Sequence, residues 1–190
     1  MKAGARALGI AESYTGQHST VAGAVVRADR AVDGFAFGRW TVGGTDATES
    51  TIALLRRLDR PDLQYLLVSG IAPAWFNVLD LRRVHDAVDL PVLSVSFEAS
   101  PGLADTIRRE FDGSARRRRL ATYYAQPDRR PVAVEGGTCW VRAVGCGDPA
   151  RVVRAFTHEG ARPEPLRVAR LAARAADAVG VAAAAGWSGE

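Results

Sequence analysis

The chain has 190 residues, 47% of them hydrophobic, and a formal charge of +4; that is long enough for one well-buried core, and no Ser/Gly/Pro-rich linker divides it, so a single domain over 1–190 is expected. No run of about 18 apolar residues and no basic-then-apolar leader is present, which excludes a membrane span and a secretory signal and gives the expectation of a soluble, cytoplasmic protein. Cys139 and Cys146 fit neither a zinc spacing nor a disulfide framework.

The positive charge is almost all arginine, since Lys2 is the only lysine. Arginine presents a planar fork suited to phosphates, although one-sided arginine use also follows from genome composition alone.

Ala5 to Ile10 reads as a first strand ending in polar Glu12-Ser13, and Thr20 to Val26 as a second. After Asp33-Gly34, Phe35, Phe37, Arg39 and Thr41 alternate with Ala36, Gly38, Trp40 and Val42, which predicts a third strand after a tight turn. Strands this closely spaced form an antiparallel meander. Ile52, Leu55 and Leu58 then recur at helical spacing, with Asp46 and Glu49 placed as a capping box at the start. Leu81, Val84 and Val88 mark a second helix, Leu90 to Val95 a buried strand, and Ser100-Pro101 the start of a helix carrying Leu103, Ile107 and Phe111. This strand-helix-strand-helix alternation predicts parallel strands with right-handed crossovers. The run Arg116 to Arg119 opens another predicted helix, and two short strands around Pro131 to Val134 and Thr138 to Val144 meet at Gly136-Gly137. Asp148-Pro149 begins a helix through Phe156. Pro163-Glu164-Pro165 introduces the last one, with Val168, Leu171, Ala175 and Val179 expected inward and a frayed tail from about Gly180.

The chain is organised around Tyr65 to Asp80. An apolar run ending in Ser69-Gly70 reads as a buried strand that opens into a loop, and Asn77 with Asp80 reads as the start of the following helix. Ligands of open α/β sheets collect outside the carboxyl ends of strands, and that position carries Trp75, Phe76 and Asn77.

Several phrases resemble a known family: Leu8-Gly9-Ile10-Ala11-Glu12, Asp46-Ala47-Thr48-Glu49, Ser69-Gly70-Ile71 with Phe76-Asn77-Val78-Leu79-Asp80, and Pro163-Glu164-Pro165-Leu166-Arg167-Val168-Ala169. From about Arg6 to about Ala176 the chain is similar to a mainly archaeal, uncharacterised family of endonuclease V-like proteins. The resemblance implies a ribonuclease H-like α/β fold, with an antiparallel meander followed by parallel strands and helices on both faces. It also implies a nuclease ancestry in which carboxylates hold Mg²⁺ or Mn²⁺ for attack of water on a phosphodiester. Here Ala11 and Ser69 stand where two of those carboxylates are expected, and Val95-Ser96-Phe97-Glu98 holds no lysine where a catalytic one is expected.

The remaining candidates for catalysis and metal binding are Glu12, Asp46 and Glu49, the last two of which also read as a helix cap. Trp75, Phe76 and Asn77, together with Arg116, Arg117, Arg118, Arg119 and Arg167, are candidates for contacting DNA or RNA by stacking and by phosphate pairing. Three readings follow: a nucleic-acid-binding protein with a degenerate metal site and weak or no nuclease activity, a divergent metal-dependent endonuclease using the three carboxylates, and a small-molecule or protein-interaction module.

Overall fold

The computed structural model describes residues 1–15 and 18–180; the tail expected to fray lies outside them. The elements run β1 (Arg6–Thr15), β2 (His18–Arg27), β3 (Val32–Thr41), α1 (Ala47–Leu58), β4 (Tyr65–Ser69), α2 (Pro73–Phe76), α3 (Leu81–Val88), β5 (Val92–Ser96), α4 (Ala104–Glu110), α5 (Gly113–Tyr124), β6 (Arg130–Val134), β7 (Gly137–Val144), α6 (Pro149–Phe156) and α7 (Glu164–Ala178). Among the described residues the strands form one seven-stranded sheet in the order β3-β2-β1-β4-β5-β7-β6. The β1-β2-β3 meander is antiparallel, β4 and β5 run parallel to β1, and β7 and β6 turn back antiparallel.

Alternation along the central strands feeds two cores. Leu8, Ile10, Leu66, Val68 and Val92 pack under α1, α3, α4 and α5 against Leu54, Val84, Ile107 and Tyr123. Leu67, Leu93 and Val95 face the other way, against Phe156 of α6 and Leu166 of α7. Full burial of such side chains contributes roughly 1.5–3 kcal/mol each, which fixes strand register on both faces.

Three local expectations are corrected. Helix α7 turns Leu166, Ala169, Ala173 and Ala176 inward and leaves Leu171 54% and Val179 71% exposed. The surface beneath it is Gly9, Ala11 and Ala24, so only a small-residue stripe lets the helix settle; a Cβ on Gly9 would lie 2.2 Å from the Pro165 carbonyl carbon. Helix α3 starts at Leu81, capped by Asp80 Oδ1, which accepts from the Arg82 and Arg83 amides, and Asn77 is buried upstream of it. Helix α4 starts at Ala104 and not at Pro101, because Gly102 takes a φ of +114° that no helix permits.

Candidate functional site at the carboxyl rim of the sheet

The Ile10–Val68 pairing brings Ala11 and Ser69 side by side at the carboxyl end of β4, where its pairing with β1 stops. Ala11 is buried against Ala169 of α7. Strand β1 continues to Thr15, so alternation turns Glu12 to the opposite face of the sheet. There its Oε1 accepts the Ala74 amide at 2.7 Å and its Oε2 accepts the Ser19 hydroxyl.

Asp46 and Glu49 do not form the expected capping box. Asp46 accepts from the Thr41 amide at 3.2 Å, the Thr41 hydroxyl at 3.0 Å and Asn77 Nδ2 at 2.5 Å. The free amide at the start of α1 is instead satisfied from outside the helix, by Asn77 Oδ1 at 2.9 Å from the Ala47 nitrogen. Glu49 reaches outward to Arg83 at 2.8 Å. Among the described residues no group of three His, Cys, Asp or Glu side chains is placed to hold a metal ion. Glu12, Asp46 and Glu49 thus turn to three different partners and do not converge as a three-carboxylate donor set for Mg²⁺ or Mn²⁺.

The loop between β4 and α3, which includes the single turn α2, has an unusual backbone that is not α-helical at Ala74 and Trp75. Ala74, Trp75 and Phe76 all have positive φ, at 45°, 54° and 60°. Non-glycine residues in this region cost of order 1–3 kcal/mol each and persist only when their surroundings over-determine them. Here the surroundings do: Glu12 holds the Ala74 amide, the Gly43 amide holds the Ala74 carbonyl at 2.7 Å, and Arg119 Nε holds the Phe76 carbonyl at 3.0 Å. Asn77 completes the bracket by donating to the Thr41 carbonyl at 3.0 Å. The result presents Trp75, 48% exposed, in a cluster with Phe76 and Phe111.

The arginine run is split by the helix that carries it. Arg119 is only 5% exposed and stacks on Phe111 at 3.9 Å, and it also donates to the carbonyls of Gly44, at 3.0 Å, and Gly43. Burial, then the neighbouring Arg118, pushes its guanidinium below its ordinary value. Arg116 pairs with Asp112 one turn earlier, whereas Arg117 and Arg118 are exposed. Arg167 is paired with Glu164 at 2.5 Å.

Sequence reasoning did not find a second feature of the same rim. A cavity of about 430 Å³ straddles the ends of β4 and β5, bordered by Ser69, and four arginines line it: Arg129, Arg142, Arg162 and Arg170. Ser94 pairs with Arg142 across β5 and β7, and Ser96 with Trp140. Arg129 lies over the Trp140 ring at 5.1 Å, Arg142 over Tyr123 at 5.1 Å and Arg162 over Phe97 at 3.7 Å. Such stacking fixes the guanidinium planes. Among the described residues none of the four pairs with a carboxylate, and Arg162 Nη1 is buried without a hydrogen-bond partner. Burial lowers the Arg129 and Arg162 guanidinium values, with Arg142 and Arg170 respectively adding to the effect. The only local signal was Trp140 and Arg142 at alternate positions of β7; the other three arginines come from distant parts of the chain.

A sequence model of the family described as Endonuclease dU matches residues 3–177. A UPF0215 protein of Methanopyrus kandleri is 32% identical over 176 residues, covering 88% of this chain and 89% of its own. A UPF0215 protein of Archaeoglobus fulgidus is 29% identical over 178 residues, covering 90% and 92%. Among solved structures, a protein of unknown function from Archaeoglobus fulgidus superposes with a TM-score of 0.79 at 25% identity, covering 90% of this chain and 97% of that one. Ciona intestinalis endonuclease V, in complex with inosine-containing DNA, superposes with a TM-score of 0.57 at 12% identity, covering 90% and 84%. This likeness shows the ribonuclease H-like fold.

Proposed function

The chain belongs to the Endonuclease dU family, and on that premise we propose that it is a nucleic-acid-binding protein with a degenerate metal site and weak or absent nuclease activity. The observation that carries the reading is the pair at the rim: Ala11 offers no ligand, and Ser69 beside it offers only a neutral hydroxyl. Metal-assisted hydrolysis of a phosphodiester requires hard anionic donors at that place. The carboxylates of Glu12 and Asp46 are engaged in holding the loop that displays Trp75, so they serve binding geometry instead. Endonuclease V of Ciona intestinalis is seen on DNA, and the family's name points to deoxyuridine, so the proposed ligand is a DNA or RNA strand with a base stacked on Trp75.

The test is a cleavage assay beside a binding assay. DNA carrying deoxyuridine or inosine, or inosine-containing RNA, incubated with Mg²⁺ or Mn²⁺, is expected to be bound without cleavage above that of a Glu49→Ala control. Robust metal-dependent nicking that Glu12→Ala, Asp46→Ala or Glu49→Ala abolishes would replace this reading with a divergent endonuclease using those three residues. Restoring Ala11→Asp and Ser69→Asp together is expected to create Mn²⁺ affinity measurable by calorimetry, because the two positions lie side by side just past the last β1–β4 pair.

A further inference from the structure

The four-arginine cavity is a built site for a compact, multiply charged anion. Guanidinium groups gathered in one concavity repel one another, and burial removes part of the water that would stabilise them. Proteins normally answer such a cluster with carboxylates. Here the sole carboxylate residue on the lining is Glu98, and what it gives Arg129 is its backbone carbonyl. The guanidiniums are nevertheless held in place. Arg129 donates to Ser96 Oγ at 3.1 Å and the Ser100 carbonyl at 3.2 Å, and Arg142 to the Tyr123 hydroxyl at 3.2 Å and the Pro127 carbonyl. Arg162, stacked on Phe97, keeps a buried N–H without a partner. Preorganised donors with no internal acceptor anion leave that role to a ligand.

The shape narrows the ligand. A phosphodiester strand spreads one charge per nucleotide along an open track, whereas these arginines converge from both faces of the sheet: Arg129 and Arg142 from beside α5, Arg162 and Arg170 from beside α7. A volume of about 430 Å³ lies within the roughly 300–1,000 Å³ of small-molecule sites and admits one nucleotide. We infer that the cavity binds a phosphate monoester carried by a nucleotide, either a free mononucleotide or the phosphorylated end of a strand. The inference deepens the proposed function and rests on it for the nucleotide class, but the phosphate itself is read from the arginines.

Calorimetric titration with deoxyuridine and its 5′-monophosphate forms one pair of measurements. Single strands with and without a terminal phosphate, 5′ or 3′, form the other. In at least one pair the phosphorylated member is expected to bind about 10-fold or more tightly, the scale of one or two charge-assisted hydrogen bonds. A preference in the first pair identifies a free nucleotide, and in the second a strand end. Arg162→Gln and Arg170→Gln are each expected to reduce that preference severalfold; Arg170 is exposed, so its variant leaves folding intact. Equal binding within both pairs, or a preference that neither variant changes, overturns the inference. Tight binding of unphosphorylated strands with no such preference would overturn it while leaving the proposed function standing, and a monophosphate preference without any strand binding would do the reverse.

Discussion

The two halves of the rim use charge in opposite ways. Around the Trp75 loop every charged side chain that approaches is engaged by the scaffold: Glu12 by the Ala74 amide, Asp46 by Thr41 and Asn77, and Arg119 by the carbonyls of Phe76, Gly43 and Gly44. At the ends of β4 and β5, Arg129, Arg142, Arg162 and Arg170 line a cavity without carboxylate partners among the described residues. Residue type does not distinguish the two regions, since arginine is prominent in both. What distinguishes them is that each charge of the loop stands singly and is bonded, whereas the cavity gathers four guanidiniums, of which Arg129 and Arg142 bond only to neutral groups and Arg162 keeps a buried Nη1 without a partner; a cluster of like charge without an anion awaits a ligand.

The largest expected effect tests the filled side. Arg119→Ala removes the donor to several loop carbonyls and the cation stacked on Phe111. Leaving buried carbonyls without donors costs about 1–3 kcal/mol each, so a total loss of roughly 3–5 kcal/mol is expected in urea denaturation. Arg118→Ala, next in the chain but exposed, should change stability by less than about 0.5 kcal/mol. Equal effects would mean that Arg119 is not the strut of the loop.

Asn77→Ala comes next. This fully buried side chain caps α1 and bridges Asp46 to the Thr41 carbonyl. Its removal orphans the Ala47 amide, while the Thr41 carbonyl keeps the Gly44 amide at 3.0 Å, so the expected cost is about 1–3 kcal/mol. Because the loop's left-handed residues persist only through such brackets, amide exchange should rise at 74–77 and not in β5. A smaller effect, on affinity alone, is expected from Trp75→Ala. Loss of one stacking platform should weaken single-strand binding by roughly 1–2 kcal/mol and leave its salt dependence unchanged, as measured by fluorescence anisotropy. A changed salt slope would place Trp75 outside the base-stacking role.

These contrasts also show where the sequence was readable. The succession of meander, helix and parallel strands was legible because each central strand is a short apolar run bounded by turn residues, whereas the place of β7 and β6 beside β5 was not, since nothing in their own residues names the neighbour. The inward face of α7 was not, because Leu171 and Val179 outrank alanine in any hydrophobic pattern, and only the Gly9, Ala11 and Ala24 surface beneath the helix explains why alanine is buried. Asn77 read as a helix start because its type suits a cap; it does cap a helix, α1, thirty residues earlier in the chain. The run 116–119 looked like one basic face, yet 3.6-residue periodicity turns Arg119 into the core. The cavity arginines were invisible for the converse reason: positions 129, 142, 162 and 170 share no local spacing, and only the packing of β7 and α7 around the end of β5 gathers them.

The smallest prediction converts a filled arginine into an unfilled one. Arg167 was a candidate for phosphate contact, but Glu164 takes two of its N–H groups at 2.7 and 2.5 Å. That bond holds the Glu164 carboxyl below the usual carboxylate range. A group with a lowered value in the folded state contributes stability above the unfolded value and loses it as pH falls through the folded one, so the pair's contribution should fade at acid pH. Half of the pair is solvent-exposed, and the expected contribution near neutrality is therefore only about 0.5–1 kcal/mol. Glu164→Gln should remove both that increment and its pH dependence, which denaturation at several pH values would reveal. In the parent protein Arg167→Gln is expected to leave the salt slope of duplex binding almost unchanged, because its guanidinium is occupied. In the Glu164→Gln background the freed guanidinium can meet a phosphate, and the slope should steepen by up to about 0.9, the value of one contact. An equal slope in both backgrounds would show that Arg167 lies off the path of the strand, whatever its partner.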